Sequence, residues 1–225
     1  MKIRQLIIAT PRLEAQKAFY TRVIGLAVGQ EADGSASFSI GNSVLTIREE
    51  EGATPYHFAF NIPAYDEEKA LNWLKGRVGI LTDQGKEIQD FSSWNARSVY
   101  FYDADKNIVE FIARRNLQNA SAKPFSPGSL LEISEIGLAV NQIPPIYKLL
   151  KQLTGLTIFD GNLANFCAIG DDHGLLICVN FNRKSWYPTG DTAFPSPFEM
   201  QMEAHGREFK LHYTGEELKV EMQIE

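Results

Sequence analysis

The order of secondary structure that the first 114 residues imply is repeated further along the chain, and that repetition narrows the possible folds more than any composition figure. A strand over Ile3–Ala9 leads to a helix that Pro11 opens and Gly25 closes, its apolar positions Leu13, Ala15, Phe19, Tyr20 and Val23 recurring at helical spacing. Strands over Leu26–Gln30, Ser35–Ile40 and Ser43–Arg48 follow, the last two joined by the turn pair Gly41-Asn42. From Tyr56 the same order returns: a strand over His57–Ile62, an amphipathic helix over Asp66–Leu74 with an acidic first turn, and strands over Val78–Thr82, Ser98–Tyr102 and Asn107–Ile112.

A polar stretch from Asn116 to Gly128, rich in Ser and Pro and without periodicity, reads as a linker. The pattern then restarts. A strand over Leu131–Val140 precedes a helix near Pro145–Leu153, and Gly155-Leu156 stands 130 positions after Gly25-Leu26. The same offset carries Gln5 onto Glu135, and Ile40-Gly41 returns as Ile169-Gly170, so an internal duplication is the simplest account. The last segment is abbreviated to three strands, Phe198–Ala204, Arg207–Tyr213 and Leu218–Ile224, with no room for a helix, and Glu221 lines up with Glu110. The expected fold is therefore α+β, built from tandem βαβββ units, with a first domain over 1–115, a linker over 116–129 and a shortened, divergent second domain over 130–225.

At 225 residues and 44% hydrophobic content the chain can bury a substantial core. A net charge of −6 without a dense Lys/Arg stripe argues against nucleic acid as a partner. No stretch has the apolar length of a signal peptide or membrane span, so a cytoplasmic protein with no membrane partner is expected. Cys167 and Cys178 sit in apolar, strand-like surroundings and read as reduced core thiols.

Gln5, His57 and Glu110 each lie in a short β-like stretch. One amide oxygen, one imidazole and one carboxylate make a mixed N/O donor set that suits Mn²⁺, Fe²⁺, Ni²⁺ or Zn²⁺. About fifty positions separate consecutive members, so only the fold can bring them together.

Three stretches resemble the vicinal oxygen chelate superfamily, which contains glyoxalase I, fosfomycin-resistance enzymes, bleomycin-resistance proteins and extradiol dioxygenases. They are Ala18-Phe19-Tyr20 through Ile24-Gly25-Leu26, the strand His57-Phe58-Ala59-Phe60, and Val99 through Glu110, with Ala104 and Lys106 where the family usually has Pro and Gly. The resemblance implies that two βαβββ units pair into a half-open barrel whose concave face holds a divalent metal chelated by two adjacent substrate oxygens. Carried over by position, the metal ligands are Gln5, His57 and Glu110, with Glu110 also the catalytic base. Two departures stand out. The family more often has His where Gln5 stands, and Leu45 occupies the position expected to supply a carboxylate in the first unit.

Each proposed ligand also has a plainer reading: His57 as a hydrogen-bonded strand histidine, and Gln5 as a partner for a neighbouring polar group. Glu110 stands out because a lone carboxylate in an apolar run is costly. Glu135 and Glu221, with Glu199, would form an all-carboxylate set, which favours exposed or ion-paired side chains there. Trp94, Tyr100, Tyr102 and Phe60 are candidates for an apolar pocket wall. The leading expectation is a metal-dependent lyase, dioxygenase or transferase acting on a small oxygen-chelating molecule. Beside it stand a metal-free binding protein of bleomycin-resistance type and a fold with a decayed site. Both a monomer and a homodimer are compatible with the sequence.

Overall fold

The computed structural model describes residues 1–32 and 34–223. The first unit comprises β1 (Lys2–Thr10), α1 (Leu13–Ala18), a π-helical turn over Phe19–Val23, and β2 (Val28–Ala32), β3 (Ser35–Ile40) and β4 (Ser43–Glu49). The second comprises β5 (His57–Ile62), α2 (Glu67–Lys75), β6 (Ile80–Leu81), β7 (Gln89–Phe91), β8 (Ala96–Tyr102) and β9 (Ile108–Arg114). The third has β10 (Glu132–Val140), α3 (Ile143–Thr154), β11 (Ile158–Asn162), β12 (Phe166–Asp171) and β13 (Gly174–Asn180). The short fourth unit is β14 (Phe198–Ala204), β15 (Arg207–Tyr213) and β16 (Leu218–Met222). Its last strand was expected to reach Ile224, which lies outside the described residues. Among these residues no helix is long and apolar enough to cross a membrane.

The fold class is the expected one, but the units pair differently. One sheet has the order β16-β15-β14-β1-β4-β3-β2, joining the first unit to the fourth; the other runs β11-β12-β13-β10-β5-β9-β8-β6, with β7 as a ninth strand also paired to β8, joining the second to the third. Both junctions are antiparallel contacts between the opening strands of two units, β1 with β14 and β5 with β10. The sheets thus cross the boundary expected at 116–129.

The reason lies in the connection between β9 and β10. Because β5 and β9 are parallel neighbours, both end at the same edge of the sheet, and the chain need only step across β5 to start β10 in the opposite direction, Glu132 facing Asn61. The stretch read as a linker is tied down along this path. The Leu131 N–H donates to the Asn61 carbonyl at 2.9 Å, the Asn119 side chain accepts from the Ala64 N–H at 2.9 Å, and Lys69 donates to the Ser121 carbonyl at 2.7 Å.

Strand alternation divides the nine-stranded sheet into two faces. Phe58, Phe60, Val99, Phe101, Val109, Phe111, Ile136 and Leu138 join a core shared with Ile3, Leu6, Ile47 and Met200 of the other sheet. The opposite face carries a smaller cluster of Tyr100, Ile108, Ala139, Ala168, Ile177, Val179 and Trp186. Both cysteines are buried and unbonded, facing one another across β12 and β13.

The two sheets are also joined at Gly41, whose φ of +53° lies in the left-handed region that favours glycine and whose neighbour Asn42 donates to the Leu131 carbonyl at 2.8 Å. A Cβ at Gly41 would collide with that carbonyl. Gly41→Ala should therefore cost at least ~2 kcal/mol from left-handed strain and displaced backbone together, read as a lower midpoint in urea denaturation.

Candidate metal centre

His57 opens β5 and Glu110 lies on the adjacent β9, both on the face away from the main core. Glu135 reaches the same place from β10. A β-bulge between Ile133 and Glu135 breaks the register with β5 just before this residue, and such a bulge re-aims the side chain that follows it. A matching bulge between Ile3 and Gln5 occurs in β1, so the duplication that equates Gln5 with Glu135 extends to backbone detail.

All three site residues are buried. The His57 Nδ1 lies 3.2 Å from the Ile108 carbonyl, which can only accept, so the ring carries its proton there and turns the Nε2 lone pair inward. Glu110 Oε2 is 3.7 Å and Glu135 Oε2 3.9 Å from this Nε2, and one donor atom from each residue lies within 4.8 Å of the others. Burial pushes the His57 pKa down to about 4, against the Ile108 carbonyl, so the imidazole is neutral near neutral pH. The site thus presents three acceptor atoms to one buried point. Acceptors so arranged repel unless a cation joins them, and one imidazole nitrogen with two carboxylate oxygens suits a divalent metal.

Burial also pushes up both carboxylates. For Glu110 the Ser98 and Tyr100 hydroxyls and Arg114 pull the other way; for Glu135 the charge of Glu110 adds to burial and Arg114 opposes it. Arg114, fully buried on β9, donates through Nη2 to Glu135 Oε1 and leaves Oε2 facing His57. Its Nη1 is 3.7 Å from Asp172, and its guanidinium lies 5.4 Å from the Trp94 ring centre. Tyr100 is raised well above its usual value by burial and by Glu110 and Glu135, so its hydroxyl remains protonated.

A cavity of about 300 Å³ opens above these residues, with Phe91, Trp94, Phe166, Trp186 and Tyr187 among its walls. Trp186 sits on the long connection between β13 and β14, its ring centre 5.3 Å from that of His57. Gly137, two residues beyond Glu135 on the same face, makes room for it, since a Cβ there would lie 2.6 Å from the indole. Tyr187 fastens this connection to β7 by donating to Gln89 at 2.8 Å.

Gln5 does not join the cluster. It lies on β1 in the other sheet, half-buried, donating to Thr46 at 3.4 Å, because its unit pairs with the fourth unit and not with the second. The substitution read at Leu45 also shifts by one residue. Ile7 stands opposite Thr46 as Ala59 stands opposite Glu110, so Thr46 is the true counterpart of Glu110 and Leu45 faces the core. The all-carboxylate set of the second half dissolves for the same reason: Glu199 pairs with Arg48 at 3.2 Å in the seven-stranded sheet, Glu221 is exposed there, and Glu135 belongs to the other sheet. Of the expected pocket residues, Trp94 and Tyr100 line the cavity, whereas Phe60 faces the core. Trp186 and Tyr187 were missed, since their segment has no periodicity; Glu135 had its signal in the repeat.

Fold and site together define a protein of tandem βαβββ units with a buried His-Glu-Glu group that fits a divalent metal. The sequence profile of the Glyoxalase/Bleomycin resistance protein/Dioxygenase superfamily matches residues 2–111. Metallothiol transferase FosB of Staphylococcus haemolyticus is 32% identical over 100 residues, covering 41% of this chain and 68% of that protein; FosB of Staphylococcus epidermidis is 31% identical over the same shares. The chain belongs to this superfamily. Among solved structures, a Bacillus subtilis protein named as a candidate dioxygenase superposes over 99% of this chain and 84% of its own with a TM-score of 0.63 at 14% identity. Glyoxalase I of Zea mays covers 79% of this chain and 66% of its own with a TM-score of 0.53 at 15% identity. At such identities these two show the shared fold alone.

Removing Arg114 should leave Glu135 uncompensated in the interior. Arg114→Met is expected to cost about 3 kcal/mol, and the double variant with Glu135→Gln to regain about half of it, measured as a double-mutant cycle in urea denaturation.

Proposed function

We propose that the protein is a metal-dependent enzyme that takes a small substrate by two neighbouring oxygens at a divalent ion held by His57, Glu110 and Glu135. The observation that carries this reading is the convergence of three acceptor atoms, His57 Nε2 and one carboxylate oxygen from each glutamate, on one point beneath an aromatic cavity. When bound, the ion would act as a Lewis acid on the substrate oxygens. Two carboxylates beside one imidazole favour the harder members of the Mn²⁺, Fe²⁺, Ni²⁺ and Zn²⁺ series.

The protein's own groups have separable tasks. Arg114 holds Glu135 in one orientation. Glu110 has no guanidinium partner, only the Ser98 and Tyr100 hydroxyls beside it, which makes it the carboxylate better placed to accept a substrate proton. Tyr100 keeps its proton and directs it at Glu110, steadying that carboxylate beside the substrate. Trp186 and Tyr187 supply apolar wall beside the buried end of the cavity. The likeness to the metallothiol transferases makes thiol transfer the first reaction to assay, ahead of hemithioacetal isomerisation and catechol cleavage.

A metal-free ligand-sequestering protein is the second reading, and Arg114 is the observation that favours it, since it already neutralises one of the two carboxylates. Elemental mass spectrometry of the purified chain after loading with each of the four ions separates the two. About one ion per chain is expected, lost in His57→Ala, Glu110→Ala and Glu135→Ala and kept in Gln5→Ala. A wild-type chain that holds no ion would overturn the enzyme reading. In a screen of epoxides with thiols, of 2-oxoaldehyde hemithioacetals and of catechols, turnover should fall at least 100-fold on chelation and return on reloading.

A further inference from the structure

Resting on the reading of this cavity as the substrate site, we infer that its substrate is a flat, largely apolar molecule that carries an acidic group at the end opposite its chelating oxygens, and that Lys184 is the residue that recognises this group. The cavity has three distinct zones. His57, Glu110 and Glu135 form its buried end. Its walls are rings: Trp94 lies between Phe91 and Phe166 in nearly parallel stacks, at interplanar angles of 29° and 20°, with Trp186 and Tyr187 also lining the space. Its rim is formed by exposed residues, among them Lys184, Asp160, Ser93 and Ser185.

The two charged residues of the rim differ in their state. Asp160 is already engaged: its carboxylate accepts from the Trp94 indole and, at 2.7 Å, from the Gly161 N–H. The Lys184 ammonium lies 4.3 Å from the centre of the Phe166 ring, and no carboxylate among the described residues pairs with it. Desolvation lowers its pKa with no acidic neighbour opposing the shift. An ammonium held against an aromatic wall without a counter-ion is stabilised by any anion that reaches it. The segment holding it is fixed, with the Lys184 N–H donating to the Asn180 carbonyl at 2.9 Å. With a divalent ion in place, the ion and Lys184 balance Glu110, Glu135 and Asp160, and Arg114 is balanced by Asp172, so the pull on an anion is local to Lys184. A carboxylate, sulfonate or phosphate would satisfy the same geometry.

Trp94 and Trp186 are two of the three tryptophans, so quenching of intrinsic fluorescence reports occupancy of the cavity. One titration uses metal-free protein with 2-naphthoate and 2-naphthol, which share a ring system and differ in charge. Lys184→Gln should weaken naphthoate binding about tenfold and leave naphthol within twofold, and Asp160→Asn should strengthen naphthoate alone. Equal naphthoate affinity in wild type and Lys184→Gln, including no binding to either, would overturn the inference. A second titration compares 3,4-dihydroxybenzoate binding with and without Mn²⁺. A Lys184-dependent naphthoate preference with no gain from Mn²⁺ would leave the acidic-group inference standing and sink the metal reading.

Discussion

The antiparallel contact between β5 and β10 is the constraint on which the site depends. His57 and Glu110 come from one βαβββ unit and Glu135 from the next, and these side chains share a face only because two opening strands run side by side in opposite directions. The short connection from β9, anchored at Leu131 and Asn119, makes that pairing the nearest one available to the chain. Aromatic and β-branched residues on the core face hold the pair in register. The bulge before Glu135 then turns one carboxylate into the cavity.

The electrostatics of the site follow from this placement. Two carboxylates and a neutral imidazole are confined together with one buried guanidinium, and each carboxylate is less acidic than it would be in water. Arg114 occupies one oxygen of Glu135 and leaves the other free. The arrangement is therefore asymmetric: one glutamate is held by a guanidinium and the other has only hydroxyls beside it, although both face the same imidazole nitrogen. Structurally similar residues are in this way given different surroundings by one ion pair on the far side of one of them.

Much of this architecture is readable in the sequence. Strands such as Ser35–Ile40 and His57–Ile62, and all of the fourth unit's described strands, follow from alternation and turn residues, because those signals are local. The repeat located Glu135 as the counterpart of Gln5 through glycine and apolar landmarks alone. What the sequence could not convey was which unit lies beside which, since an opening strand carries the same pattern whether its partner is the second unit or the fourth. That single ambiguity placed Gln5 in the site and left Glu135 out of it. The Leu45 and Thr46 slip is the same kind of error at finer scale: one residue of register exchanges the faces of a strand. Trp186 and Tyr187 lie in a connection with no periodicity, and only their packing on Gly137 and Gln89 reveals their place.

The pairing of units is nested, the second with the third inside the first with the fourth, and this bears on how the chain acquires its structure. Strands β5 and β10 are joined by a connection of moderate length, whereas β1 and β14 meet from nearly opposite ends of the sequence. Loop closure of the outer pair carries the larger entropic cost. The cavity and its three inward-facing side chains belong wholly to the inner pair and its trailing connection. The cavity thus draws on the middle of the polypeptide, while the strands toward its two ends meet each other without contributing a side chain to it.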